Sequence, residues 1–239
     1  MTTIYTVNSK VLKNSATDKW LIKKETPVDP YNPLGLPPNT VRVRTSDGNA
    51  PIKEEDITSY ETATLVTGTS DVYDVYKSGT SFNRLLSSAT NIIEILGANA
   101  TGITDMGAMF TDCTSLTSVP LFDTTSVTNM QQILNGCTSL TSVSLFDTSS
   151  VTNMERAFYG CSALTSIPLF DTSSITNMDN MFQNCSNVES GALALYNQAS
   201  TQTTPPSYHS STFRGCGSNT TTGAAELAQI PSNWGGTGA

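Results

Sequence analysis

The chain has 239 residues, of which 13% are charged and 37% hydrophobic, and its formal net charge is -8. This acidic balance argues against sequence-independent nucleic-acid binding, which needs clustered lysine and arginine. No apolar run reaches the roughly 18 residues of a membrane-spanning helix, and no export signal opens the sequence. The single histidine, His209, makes Ser-His and multi-His metal sites unexpected.

The first quarter of the chain is predicted to lie outside the main fold. Residues 1–26 are comparatively basic, and we predict a separate attachment segment with strands near 3–7 and 20–23. Packing of this segment onto the rest of the chain is the alternative. The segment contains five lysines, which are Lys10, Lys13, Lys19, Lys23 and Lys24.

A proline-rich stretch separates this segment from a predicted β cap. Five prolines within residues 27–38 predict a stiff, extended linker. Residues 40–44 and 62–67 alternate as strands do. We therefore predict an N-terminal β cap over residues 39–78.

The remainder of the chain repeats itself at a fixed interval. The tetrad Val-Thr-Asn-Met at 127–130 recurs at 151–154, and recurs with isoleucine first at 175–178, so each step in residue number is 24. We predict repeats over 79–198, of which the first is degenerate, and a modified capping repeat over 199–239. The same step relates Cys113, Cys137, Cys161 and Cys185, and also Asp123, Asp147 and Asp171.

Each repeat is predicted to form a strand, a turn and a short helix. In one repeat, Val119 and Leu121 are expected to point inward from a strand, and a turn follows at 123–126. Apolar residues at helical spacing from Met130 to Cys137 then predict a helix. We predict an α/β solenoid, a short leucine-rich-repeat stack with an N-terminal β cap.

The segment VTNMERAFYGCSALTSIPLFDTSS at 151–174 resembles the BspA-like leucine-rich repeats. This family occurs in surface proteins of gut and oral bacteria and in their phages, and the resemblance covers residues 79–239. NPLGLPPNTVRVR at 32–44 and GAAELAQIPSNWGG at 223–236 resemble proteins of phages and prophages of gut bacteria. The resemblance implies a phage virion component, in a fibre, a tail or the capsid surface, that presents its repeats for recognition or assembly. The alternative is a bacterial cell-surface adhesin that binds host protein or glycan.

The expected partners follow from this interpretation. Other virion proteins would bind through the N-terminal segment, a cell-surface protein or glycan is a further candidate, and the chain would form a homo-oligomer within an assembly. Binding to nucleic acid and insertion into a membrane are not expected. Since no phosphate loop, G-x-S-x-G motif or nucleophile with a base is visible, we expect no enzymatic activity and no cofactor.

Stacking would align three kinds of side chain in columns. The cysteines are expected to be buried and reduced, although disulfides or a metal are alternatives. The aspartates are expected to cap local amides, with calcium as the alternative. The candidate binding residues are Phe122, Phe146, Phe170 and Tyr196, which turn outward if the strand continues. If the chain bends there, their rings fold over the edge of the core, which we favour.

Overall fold

The computed structural model describes residues 32–51 and 61–238, together with the backbone of two short strands near the N-terminus. These strands, β1 (Val11–Lys13) and β2 (Trp20–Ile22), pair antiparallel. The strand predicted at 3–7 and the first part of the predicted linker lie outside the described residues.

A four-stranded antiparallel sheet precedes the repeats. Its strands are β3 (Thr40–Thr45), β4 (Glu61–Leu65), β5 (Val72–Lys77) and β6 (Ile92–Asn99). Their order in the sheet is β4-β5-β3-β6, and alternating valines of β3 and β5 point into the core, where Val41, Val43 and Val75 are fully buried. The last strand, β6, lies within the predicted first repeat, so the sheet and the repeats share it.

The repeats lie side by side in parallel register. The Thr117 amide donates to the Ile93 carbonyl of β6 at 3.4 Å, and the two-residue strands β7 (Ser118–Val119) and β8 (Ser142–Val143) pair in parallel. A second line of parallel bridges runs through one position of every repeat. It joins Ser81, Asp105, Asn129, Asn153, Asn177 and finally Tyr208.

The short helix predicted in each repeat is wrong, because these residues form successive turns. The amides of Met106, Ala108 and Phe110 donate to carbonyls of the next repeat at 2.7–2.9 Å. Other amides close turns within the repeat: the Met109 amide donates to the Met106 carbonyl, and the Cys113 amide donates to the Phe110 carbonyl. An α-helix would use these amides internally, whereas the turns use alternate amides to join neighbouring repeats.

Left-handed backbone makes this path possible. Ala108 and Asp112 have φ angles of 53° and 57°, and the same two positions are left-handed in the neighbouring repeats. Each such non-glycine residue costs about 1–2 kcal/mol. The inter-repeat hydrogen bonds offset that cost, and Gly136 and Gly160 reduce it where they occupy the second position.

Two helices and a buried tryptophan close the far end of the repeats. Helix α1 (Ala192–Ser200) starts after Gly191, and helix α2 (Thr221–Leu227) is capped by the Thr220 hydroxyl. The Glu226 carboxylate of α2 accepts from the Leu193 amide at 3.0 Å, which caps α1. Trp234, in a 3₁₀ turn at Ser232–Trp234, stacks on His209 with ring centroids 4.1 Å apart.

The interior is a set of aligned apolar side chains. Phe158 stacks on Phe182 at 4.9 Å, and Phe182 stacks on Phe213 at 6.2 Å. Cys161 and Met154 of the same repeat are also fully buried. No helix within the described part of the chain has the length and hydropathy needed to cross a membrane.

Candidate functional site

The aromatic column is part of the core, as favoured from the sequence, so the candidate binding surface formed by outward-turned rings is wrong for the three phenylalanines. Phe122, Phe146 and Phe170 are only 1%, 3% and 0% exposed, and the first two rings pack 5.1 Å apart. Tyr196, the fourth candidate, is half-buried with its ring edge-on to Trp234 at 5.4 Å. None of the three phenylalanine rings is available to a ligand.

The leucine before each phenylalanine is exposed instead. Leu121, Leu145 and Leu169 are 42%, 57% and 55% exposed, and we call these three residues the leucine stripe. The prediction that Leu121 points inward is therefore wrong. Strand β7 ends at Val119, so strict alternation ends there, and the larger ring takes the interior because it buries more apolar area.

The aspartate column runs beside the leucine stripe on the outer surface. Asp123 and Asp147 each accept from the amide two residues later, at 3.0 Å, and from its hydroxyl at 2.7 Å. Asp171 accepts from the Ser173 amide at 2.8 Å. Hydrogen bonds from Ser149 lower the pKa of Asp147, so this exposed carboxylate is charged at neutral pH.

A further column, which the residue patterns did not single out as a site, caps the turns on another edge. Asn129 accepts from the Gln131 amide at 3.1 Å, and its own amide group donates to Asp105 of the preceding repeat at 2.8 Å. Asn153 and Asn177 cap their turns in the same way. The repeated Thr-Asn-Met motif was the available signal, but it does not distinguish an Asx cap from the start of a helix.

The cysteines form a buried column of free thiols. Cys113, Cys137, Cys161 and Cys185 each donate to a carbonyl of the preceding repeat, at 3.0–3.2 Å. Cys216 is also free and buried. Burial raises the pKa of Cys113 and of Cys216 to about 12. Among the described residues, no group of three or more His, Cys, Asp or Glu is placed to hold a metal ion.

We expect all five thiols to be unreactive in the folded protein. Ellman's reagent attacks the thiolate, and all five sulfurs are buried away from it. At Cys113 and Cys216 the raised pKa also leaves almost no thiolate near pH 8. The folded chain should therefore show no rapid reaction, and the same sample should react at five thiols in concentrated urea. Rapid reaction of any thiol without denaturant would contradict the buried column.

The same pKa values predict that stability falls at alkaline pH. An unfolded thiol titrates near 9, whereas folded Cys113 and Cys216 titrate at about 12. Above pH 9 the unfolded chain loses protons that the folded chain keeps, so their contribution to stability is complete below pH 9 and declines towards pH 12. Urea midpoints between pH 7 and 11 measure this, and Cys113→Ala should show a shallower decline.

The repeats that carry these columns match the model of a described protein family. Residues 80–196 match DUF285. That family is described as a Mycoplasma protein of unknown function, and the match covers just under half of the chain. The DUF285 segment includes the leucine stripe, the aspartate column and the first four cysteines. Comparisons with the curated proteins and with the solved structures give no match.

Proposed function

We propose that the chain is a non-enzymatic recognition or assembly module of a phage virion, in a fibre, a tail or the capsid surface. Its DUF285 segment would act as a short solenoid of leucine-rich-repeat type. The observation that carries the proposal is the pairing of exposed leucines with surface aspartates at the same positions of successive repeats, where Asp147 and Asp171 are exposed and Asp123 is half-buried. Such an array suits an extended partner better than a small substrate.

The scaffold beneath this array supports a presenting role. Inter-repeat hydrogen bonds join every repeat to the next. The cysteine and phenylalanine columns fill the interior together with the buried leucines Leu116, Leu140 and Leu164. Neighbouring strands lie about 4.8 Å apart, so equivalent outward side chains recur at that spacing. Substitution at an outward position changes the surface without disturbing the core.

The second candidate is a bacterial cell-surface adhesin of the BspA-like kind. DUF285 is associated with BspA-like repeat proteins, and its description names a bacterium. An adhesin would use the same outward columns, but it would bind host protein or glycan from the bacterial envelope.

Immunogold labelling distinguishes these two candidates. An antibody raised against residues 103–190 should decorate virions purified from a lysate of the source culture and leave the cell envelope unlabelled. Labelling of the envelope without labelling of virions would contradict the virion proposal and support the adhesin.

A glycan array measures recognition separately from location. The array is probed with the full wild-type chain and, for comparison, with the Leu145→Ser variant. Phe146→Ala is not used, because it would leave a cavity in the core rather than alter the surface. Glycan binding that Leu145→Ser abolishes supports recognition of sugar by the repeats. Glycan binding that Leu145→Ser leaves intact would contradict a role for the leucine stripe.

A further inference from the structure

The leucine stripe is lengthened by a leucine from another part of the chain. Gly97, on strand β6, occupies the position equivalent to Leu121 in the preceding repeat. A Cβ atom on Gly97 would lie 3.1 Å from a methyl group of Leu34, so Leu34 fills the place of the missing side chain, and it is itself 45% exposed. The surface therefore presents four exposed leucines at successive positions along the repeats, and we call them the extended stripe: Leu34, Leu121, Leu145 and Leu169.

The aspartate column beside this stripe has no cationic partner within the described part of the chain. The salt bridges there join arginines and carboxylates of the antiparallel sheet, not the aspartates of the column. Residues 103–198 contain one basic residue, Arg156, and eight acidic residues. Carboxylates that recur about 4.8 Å apart repel one another. A partner that brings positive charge to this side of the stripe relieves the repulsion, whereas the repeats of a second copy would add to it.

The spacing of the extended stripe suits an α-helix that lies along it. Its four leucines recur about every 4.8 Å and span about 14 Å. Side chains at positions i+3, i+7 and i+10 of an α-helix lie about 4.5, 10.5 and 15 Å along the axis from position i, so each falls within about 1 Å of a leucine. An extended peptide repeats each face about every 6.7 Å, so its second side chain would fall between two leucines.

We propose that the extended stripe binds a basic amphipathic helix of a partner protein. This inference rests on the proposed function and names the class of partner that the repeats would recognise. Apolar side chains at positions i, i+3, i+7 and i+10 of the helix would cover the four leucines, and lysines or arginines along one flank would pair with the aspartate column. The opposite flank would meet Pro120, Ser144 and Pro168, which are small and half-buried and leave space for the helix.

Binding of a designed helical peptide to the full chain tests this proposal. The probe is a fluorescein-labelled, alanine-based peptide of about 15 residues, with leucines at those four positions and lysines along one flank. We expect fluorescence anisotropy to show saturable binding. Leu145→Ser should weaken it about fivefold, because the variant removes apolar area that the helix covers. Asp147→Asn removes a charge but keeps an acceptor for Ser149, and it should weaken binding about twofold, as should high salt.

Matched variants away from the stripe control for general effects. Leu65→Ser alters a leucine of similar exposure on β4, 46% exposed. Glu155→Gln removes the charge of another carboxylate but keeps an acceptor for the Gln131 side chain. Neither variant should change the affinity for the peptide. Urea midpoints followed by circular dichroism should match the wild type in all four variants, which distinguishes lost binding from lost folding.

Three results would overturn the proposal. The first is the absence of saturable binding of the lysine peptide to the wild type. The second is equal affinity for a peptide with a central proline, or with glutamates in place of the lysines, since neither a helix nor positive charge would then be needed. The third is a dimer of the chain alone in sedimentation that Leu145→Ser dissociates, because a second copy would then occupy the stripe. Location in the virion is measured separately, by the immunogold labelling.

Discussion

Replacing Phe158 by alanine is expected to lower the free energy of unfolding by about 3–5 kcal/mol. The ring is fully buried and stacks on Phe182 at 4.9 Å and on Phe170 at 5.6 Å. Because its neighbours belong to different hydrogen-bonded segments, they cannot move together to fill the space, and a cavity remains. Urea denaturation followed by circular dichroism measures the loss.

Tyr159→Ala is the matched control for this variant. Tyr159 is the next residue and of similar size, but it is only half-buried. We expect its loss to cost about 1 kcal/mol or less, as for substitutions near the surface. Similar losses for the two variants would contradict the stacked column, as would a Phe158→Ala protein with wild-type stability.

The repeat period in the sequence predicts which residues form the core, but it does not predict the path of the backbone. Cys137, Leu140 and Met130 recur in the neighbouring repeats, and each of them is fully buried. The spacing of Met130 and Cys137 suits the predicted helix, but successive turns place the same residues inward. Hydrophobic spacing reports which side chains are buried, whereas the direction of each amide depends on the neighbouring repeat.

Two other features also depend on contacts that residue patterns do not contain. Leu121 and Phe122 are adjacent apolar residues, and the end of β7 decides which of them is buried. Strand β6 has the length of an ordinary sheet strand because it pairs along β3, whereas the equivalent strand β7 is much shorter. The repeat period placed β6 in the repeats alone. Its greater length comes from pairing with β3, which is distant in the sequence.

Replacing Gly191 by alanine is expected to destabilise the chain by about 2–5 kcal/mol, because it combines backbone strain with a steric clash. Gly191 has a φ angle of 100° where the chain leaves the parallel bridge between Ser166 and Ser190 and enters α1. A Cβ atom there would overlap the carbonyl oxygen of Ile167. Relief requires α1 to move away from the repeat beneath it, and urea denaturation measures the cost.

Gly160→Ala separates the clash from the strain. Gly160 has a φ angle of 71°, but a Cβ atom there meets nothing within 4 Å. The equivalent residues Asp112 and Asn184 carry side chains at φ angles of 57° and 64°, so this position accepts a side chain. We therefore expect a loss of about 1–2 kcal/mol from the left-handed backbone alone. If both alanine variants lost the same stability, contact with Ile167 would not be what requires glycine at the start of α1.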